Sequence, residues 1–245
     1  AGIVASALDA PMDNPDGRLQ VFCNVAPDTW HCMGVSLNAG GAMAWFRGLV
    51  AGFARDAGAL SFDEIVARAE QSPAGAKGLF FVPYLYGERC PHPDPAARGA
   101  FVGLTARHDA GDMARSVMEG VTHALRDIHG LMQKAGLRHS VIKASGGGAR
   151  SELWRQMQAD LFDCEVVTTE GAAEGGAFGA ALVAGVGVGV WPDARSAALV
   201  CRPLTRQAPD RATGDTLRQA FSIFEGLYPA LSPSFAAISD TALDR

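Results

Sequence analysis

Ala144-Ser145-Gly146-Gly147-Gly148-Ala149-Arg150-Ser151 stands between an apolar run at 140–144 and an amphipathic run at about 151–162. The first reads as a strand and the second as a helix. Three successive glycines permit positive φ and let a flat ring or a phosphate approach bare backbone. The helix that follows offers free N–H groups and the positive end of its dipole. The stretch therefore suits a nucleotide pocket, with a plain tight turn as the competing reading. It is not a P-loop, because no Gly-Lys-Ser/Thr follows at the needed spacing. It is not a dinucleotide fingerprint either, since no GxGxxG with a downstream acid stands there. A nucleophilic Ser145 would need a His and an acid in fixed geometry, and GxSxG is absent.

Two further glycine turns lie on either side. Ala39-Gly40-Gly41 opens a helix read at about 40–55, with Met43, Phe46, Leu49, Val50 and Phe53 on one face. It is a second backbone-amide site of the same kind. Gly175-Gly176-Ala177-Phe178-Gly179-Ala180-Ala181 starts a helix at about 175–184, after a strand at 165–168. Small residues there let a helix lie close on a sheet behind the pocket.

The rest of the chain supplies an α/β frame. A polar turn at 13–17 precedes two extended stretches, 19–25 and 30–37, split by Pro27-Asp28 as a hairpin. Ser61 and Glu64 form a capping box for a helix at about 62–69. The apolar run 79–82 suits a buried strand. Gly87, Pro91, Pro93 and Pro95 make 84–98 a long functional loop or a crossing segment. The longest helix is read at about 112–135, with Gly136 as its C-cap. A Pro-rich stretch near 192–209 reads as weakly structured, and a final helix spans about 216–227. The order implies helices layered on a sheet.

Composition bounds the function. The chain has 245 residues, enough for a sizeable core, and its net charge of -5 gives no basic field for nucleic acid. No apolar run reaches the roughly 20 residues of a membrane helix. No basic region precedes an apolar stretch at the amino terminus, so no signal peptide is read. Five cysteines without a CxxC pair point to reduced thiols and a cytoplasmic protein. The chain opens on Ala1-Gly2-Ile3-Val4-Ala5 without a Met, which reads as a cut from something longer or as a cloning artefact.

Three ordered stretches carry a family resemblance. The first is Gly99-Ala100-Phe101-Val102-Gly103-Leu104 followed by 112–120 (Asp-Met-Ala-Arg-Ser-Val-Met-Glu-Gly). The second is 144–151 with Trp154, Gln156 and Asp160 beyond it. The third is 174–181. The chain resembles the carboxy-terminal half of the FGGY family of carbohydrate kinases. Within it, Phe81-Val82-Pro83-Tyr84-Leu85-Tyr86-Gly87-Glu88-Arg89-Cys90-Pro91-His92 is most similar to the xylulokinase branch. That branch usually shows Ser and Thr where Tyr86 and Cys90 stand.

The resemblance implies a ribonuclease-H-like, actin-like ATPase fold of two lobes with ATP in the cleft. Residues 1–245 would be the carboxy-terminal lobe, about 206–245 being its terminal helix and tail. Gly40 would approach the nucleotide phosphates, while Gly147, Gly148 and Ser151 would line the adenine side. The glycerol-kinase branch tends to carry Gln at Ala44 and Asn at Ser151. The implied reaction passes the γ-phosphoryl of ATP, with Mg2+, to a sugar hydroxyl, D-xylulose first. The catalytic Asp, the metal-linked carboxylate and most sugar contacts would lie in an amino-terminal lobe absent from this chain, which alone would be inactive. The implied partners are the sugar, ATP and that lobe; a homodimer stays open. A noncatalytic nucleotide-binding module and a kinase for another sugar or polyol are the alternatives.

Other polar residues read more simply. Glu88 and Arg89 suit an ion pair pinning the loop, with His92 beside them and free to face a cleft. His123 and His129 are six apart and share no helix face, so they are no metal pair. Glu119 suits a surface or interface role. Asp160 and Asp163 read as solvated helix-end residues, and Trp30, Trp45 and Trp154 as core or interface residues.

Overall fold

The computed structural model describes residues 1–14, 16–53 and 60–241, with the Phe53 side chain excepted. Pro15 of the first polar turn, Phe53 on its helix face and the expected helix end at Arg55 lie outside what is described. The chain begins with an antiparallel sheet of β1 (Gly2–Leu8), β2 (Gln20–Cys23) and β3 (Trp30–Ser36), ordered β1-β3-β2. Cys23 pairs with Trp30 across the Pro27-Asp28 turn, as the hairpin reading requires. Helices α1 (Gly40–Phe53) and α2 (Phe62–Glu70) follow. Ser61 and Glu64 close the capping box of α2 reciprocally. A second sheet pairs β4 (Phe80–Pro83) with β5 (Gly99–Val102), and α3 (Ala110–Lys134) comes next.

Helix α3 organises the packing. Asp109 caps it and Asp112 answers in a second capping box. Its inner stripe includes Val117, Met118, Val121, Ile128 and Met132, all buried. Two glycines let it lie unusually near the sheets. A Cβ on Gly120 would stand 2.0 Å from the Phe81 carbonyl oxygen, and one on Gly34 would stand 2.3 Å from the Ile128 side chain. Around it one core joins Met43 and Phe46 of α1, Ile65 of α2, Phe81 and Trp154. Trp45 stacks beside it on Phe81, ring centroids 5.7 Å apart.

The third sheet follows as β6 (Val141–Lys143), α4 (Glu152–Phe162), β7 (Glu165–Thr169), α5 (Gly176–Gly187), α6 (Ala194–Ala198) and β8 (Pro203–Gln207). Strands β6 and β7 are parallel and β8 runs antiparallel to β7. Helix α7 (Arg211–Ser239) closes the chain. The stretch near 192–209 is thus more regular than its prolines imply. Pro203 only starts an edge strand, where no ladder donor is needed. Helix α7 also outruns the expected end at 227. Pro229 and Pro233 fall on its exposed side, four residues apart, while Phe224 and Phe235 are buried on the other. Burial of that aromatic face carries the helix past two residues that would otherwise break it. Among the described residues no helix is long and apolar enough to cross a membrane.

Candidate functional site

The turn between β6 and α4 begins where the sheet ladder ends. Ala144 N–H donates to Val167 O at 2.8 Å, and Gly146 N–H donates to Ala172 O at 2.9 Å. Gly146 has φ +82. That is the glycine the backbone demands; neither Gly147 nor Gly148 has a positive φ. Residues Gly147–Arg150 form one 3-10 turn, and Ser151 starts α4. Ser151 Oγ accepts from Trp154 N–H at 3.2 Å, so its visible work is that of an N-cap.

The floor of this turn is rigid. A Cβ on Gly148 would meet the Trp154 ring at 3.2 Å, whereas one on Gly147 would meet nothing within 4 Å. Trp154 Nε1–H donates to Thr122 Oγ1 at 3.0 Å, fixing the indole to α3. Arg155 is buried beneath. Its guanidinium donates to Ala149 O at 2.6 Å, Arg150 O at 3.0 Å and Gln207 Oε1 at 2.9 Å. Sequence reading passed over Arg155. Its signal was a cation four residues after a helix N-cap, placed to reach the carbonyls of the preceding turn.

The Gly146–Ala172 bond brings the third glycine stretch to the second. Gly171 (φ +75) and Gly175 (φ +53) shape that approach to α5. Cβ atoms on Gly146, Gly147, Gly175, Gly176 and Gly179 would all meet open space. The Gly146–Ala172 bond thus sets two glycine turns beside each other, each with open space at its glycines. Helix α5 itself is apolar yet mostly exposed, only Gly185 being buried.

Gly40 and Gly41 are exposed at the start of α1, and a Cβ on either would also meet nothing. The first turn of a helix leaves N–H groups without intrahelical partners. Among the described residues no hydrogen bond joins this turn to the Gly146 turn; they share the apolar core around α3.

The 84–98 loop is irregular, as its glycine and prolines require, but it is strongly braced. Glu88 is buried and accepts from Ser36 Oγ at 2.7 Å, Leu37 N–H at 2.9 Å and Arg89 N–H at 2.6 Å. The expected Glu88–Arg89 ion pair is therefore a carboxylate-to-backbone bond. Burial raises the Glu88 pKa, opposed by those donors. His92 is half-buried: it stacks on Tyr228 at 3.9 Å and lies 3.6 Å from Asp127 Oδ2, and burial pushes its pKa down to about 4. Cys90 is buried against Gly34, while Tyr86 is 72 % exposed.

Two other carboxylates, read as exposed, are buried as well. Glu119 is buried in an ion pair with Arg115 at 2.7 Å and accepts from Gly75 N–H. Asp160 is buried and accepts from Gln156 and from Asp210 N–H. Only Asp163 is exposed, in left-handed backbone at the end of α4. All five cysteines are free thiols.

Two concavities lie elsewhere. One of about 580 Å³ is lined by Arg126, Lys134, Arg138, Phe221 and Glu225 among others; one of about 270 Å³ lies beside Ser72, Lys77 and Asp112. Neither is lined by the turns at 40–41, 146–148 or 175–176. Among the described residues no group of three or more His, Cys, Asp or Glu side chains could hold a metal ion.

Residues 3–188 match the model of the FGGY family of carbohydrate kinases, C-terminal domain. The chain is 35 % identical over 229 residues to a xylulose kinase of Staphylococcus epidermidis, covering 93 % of this chain and 45 % of that protein. It is 31 % identical over 246 residues to a gluconokinase of Bacillus licheniformis, covering 98 % and 47 %. A ligand-bound xylulose kinase from Lactobacillus acidophilus superposes with a TM-score of 0.84 at 27 % identity, covering 96 % of this chain and 46 % of that one. The chain thus spans about half the length of the relatives it matches. The architecture is the C-terminal lobe of an actin-like ATPase fold.

Proposed function

Membership of the FGGY family of carbohydrate kinases, to which this chain belongs, is the ground on which we propose an ATP-binding lobe of a sugar kinase. The protein transfers the γ-phosphoryl of ATP to a sugar hydroxyl, with D-xylulose as the first candidate. The observation that carries this reading is the pairing of two open glycine turns where Gly146 N–H meets Ala172 O. Side chains there would exclude a flat ring; their absence at Gly147, Gly175 and Gly176 admits one.

In this reading Gly147 and Gly148 lie against the adenine and Gly40 presents α1 backbone N–H groups to the phosphates. Ser151 contributes through the cap of α4 more than through a free hydroxyl. Trp154 and Arg155 hold the turn's shape before a ligand arrives, and pre-formed geometry lowers the entropy lost on binding. ATP supplies the activated phosphoryl group when bound. Phosphoryl transfer needs positioning and charge stabilisation more than covalent help from the protein. Magnesium in such sites rests on substrate phosphates, water and one or two carboxylates, and among the described residues no larger cluster of metal-binding side chains stands ready for it. We assign the catalytic carboxylate and the sugar-binding lobe to the other half of a protein of the relatives' length.

The second substrate reading is gluconate, favoured by the similarity to a gluconokinase along nearly the whole chain. Cys90 bears little on the choice, because it fills a slot in the core. Tyr86 bears more, because it stands outside on the braced loop. The test is a coupled ADP-release assay on the protein with both lobes, against D-xylulose, D-gluconate and glycerol. D-Xylulose should give the highest kcat/KM, and the 245-residue chain alone should give no useful turnover with any of them. A preference for gluconate would replace the sugar; turnover by the chain alone at the intact rate would displace the catalytic carboxylate from where it is assigned.

A further inference from the structure

The brace on the 84–98 loop ends on the turn that presents Gly40. The path starts at α7, where Tyr228 Oη–H donates to Asp94 Oδ2 at 2.9 Å. Asp94 and Glu88 then exchange backbone hydrogen bonds, at 2.9 and 3.0 Å. The Glu88 carboxylate crosses to β3 and takes the Ser36 hydroxyl on one oxygen and the Leu37 N–H on the other. Ser36 Oγ is in turn within 3.1 Å of Asn38 O and 3.4 Å of Asn38 N. Two residues later Gly40 begins α1. Ser36, Asn38 and Glu88 are all at most 3 % exposed, so water does not substitute readily for these bonds.

The chemistry of the carboxylate matters here. Glu88 receives one hydroxyl and the backbone N–H groups of Leu37, Arg89 and, at 3.4 Å, Cys90. The three N–H groups share one carboxylate oxygen, and the Ser36 hydroxyl alone meets the other. The first position has to accept; at the second a carboxamide NH2 could also serve, because the Ser36 hydroxyl can accept from it and donate to Asn38 O instead. The clamp therefore requires an acceptor on residue 88, and what it fixes is backbone at 36–38 rather than any ligand.

We propose that Glu88 is a positioning residue that sets the phosphate-facing turn at Gly40 from the 84–98 loop. This rests on the reading of Gly40 given above. The nucleotide's phosphate affinity should then depend on Glu88 while its adenine affinity should not, since the Gly146 turn is held separately by Trp154 and Arg155.

The experiment is titration calorimetry of the 245-residue chain with ADP and with adenosine, on wild type, Glu88→Ala, Glu88→Gln, Ser36→Ala and Gly40→Val. Glu88→Ala should weaken ADP by about tenfold, as expected when a coupled network loses one member, and leave adenosine unchanged, while Glu88→Gln, which keeps an acceptor for the three N–H groups, should stay near wild type. Ser36→Ala should act in the same direction as Glu88→Ala and less strongly, and it serves if Glu88→Ala does not fold. Amide exchange in Glu88→Ala should quicken at 37–41 and not at 146–150. Unchanged ADP affinity in Glu88→Ala, or equal losses for ADP and adenosine, would overturn the proposal. Gly40→Val separates the two ideas. If it loses ADP while Glu88→Ala does not, the positioning role is wrong and the Gly40 reading stands. If it keeps ADP, the Gly40 reading is wrong and the positioning role falls with it.

Discussion

At the scale of single residues, Gly147 and Gly148 look alike in the sequence and differ in the fold. Gly147 faces open space and Gly148 rests on the Trp154 ring. Gly147→Val is the clean probe: it should weaken ADP binding at least tenfold, worth about 1.4 kcal/mol, with an unchanged melting temperature. Gly148→Val should lower both, because its side chain must displace a core indole. Calorimetry and a thermal melt on each variant check this; unchanged ADP affinity in Gly147→Val would remove the adenine assignment. The glycine run was legible because its chemistry is backbone chemistry and needs no partner from afar. Glu88, Glu119 and Asp160 were not, because each also takes a partner from a distant segment: Ser36, Gly75 N–H and Asp210 N–H. Glu88 binds Ser36 across 52 positions of chain, and no local pattern encodes that.

At the scale of elements, the family-like stretch 99–104 with 112–120 proves to be packing information. A Cβ on Gly103 would stand 2.5 Å from Gly78 O, and one on Gly120 would stand 2.0 Å from Phe81 O. Gly120→Ala should therefore force α3 off β4. Overpacking of this kind costs about 3 kcal/mol at its upper range, and better helix propensity returns about 1 kcal/mol. The net loss of about 2 kcal/mol corresponds to a melting temperature lower by roughly 4–8 °C. A melt of Gly120→Ala equal to or above wild type would show that α3 and β4 have slack. Helix α3 was readable at nearly its full extent from its apolar stripe, although its N-cap Asp109 was not singled out and its C-cap is Ala135, one residue before the expected Gly136. Helix α7 and strand β8 were not, because proline speaks locally and burial of Phe224 and Phe235 answers from across the fold.

At the scale of the whole molecule, His123 and His129 are buried and His92 is half-buried, and desolvation disfavours the charged form of each. Burial pushes His123 down to about 3, and His92 and His129 down to about 4. Their unfolded value lies near 6.5. A histidine whose pKa is depressed on folding favours the folded state above the unfolded value. That contribution is lost as pH falls from about 6.5 toward the folded values, because the unfolded chain binds protons first. Melting temperature should accordingly fall steadily between pH 6.5 and pH 4. His123→Phe, lying against Phe221 and Phe224, should flatten part of that slope. A flat profile across this range in wild type would mean that these rings are hydrated or paired. The lobe architecture itself was legible only through the family resemblance carried by 99–104 with 112–120, by 144–151 and by 174–181. How the turns at 40–41 and 146–148 share one core was not, since that depends on α3 lying within contact of two sheets.

Trp154 gives the protein an optical reporter. The chain has four tryptophans, and this one is held with its N–H bonded to Thr122 and its face under Gly148. An indole so enclosed emits toward the blue, and only the thickness of one peptide separates it from whatever settles on the turn above. Its fluorescence is placed to register occupancy of that turn without any label being attached.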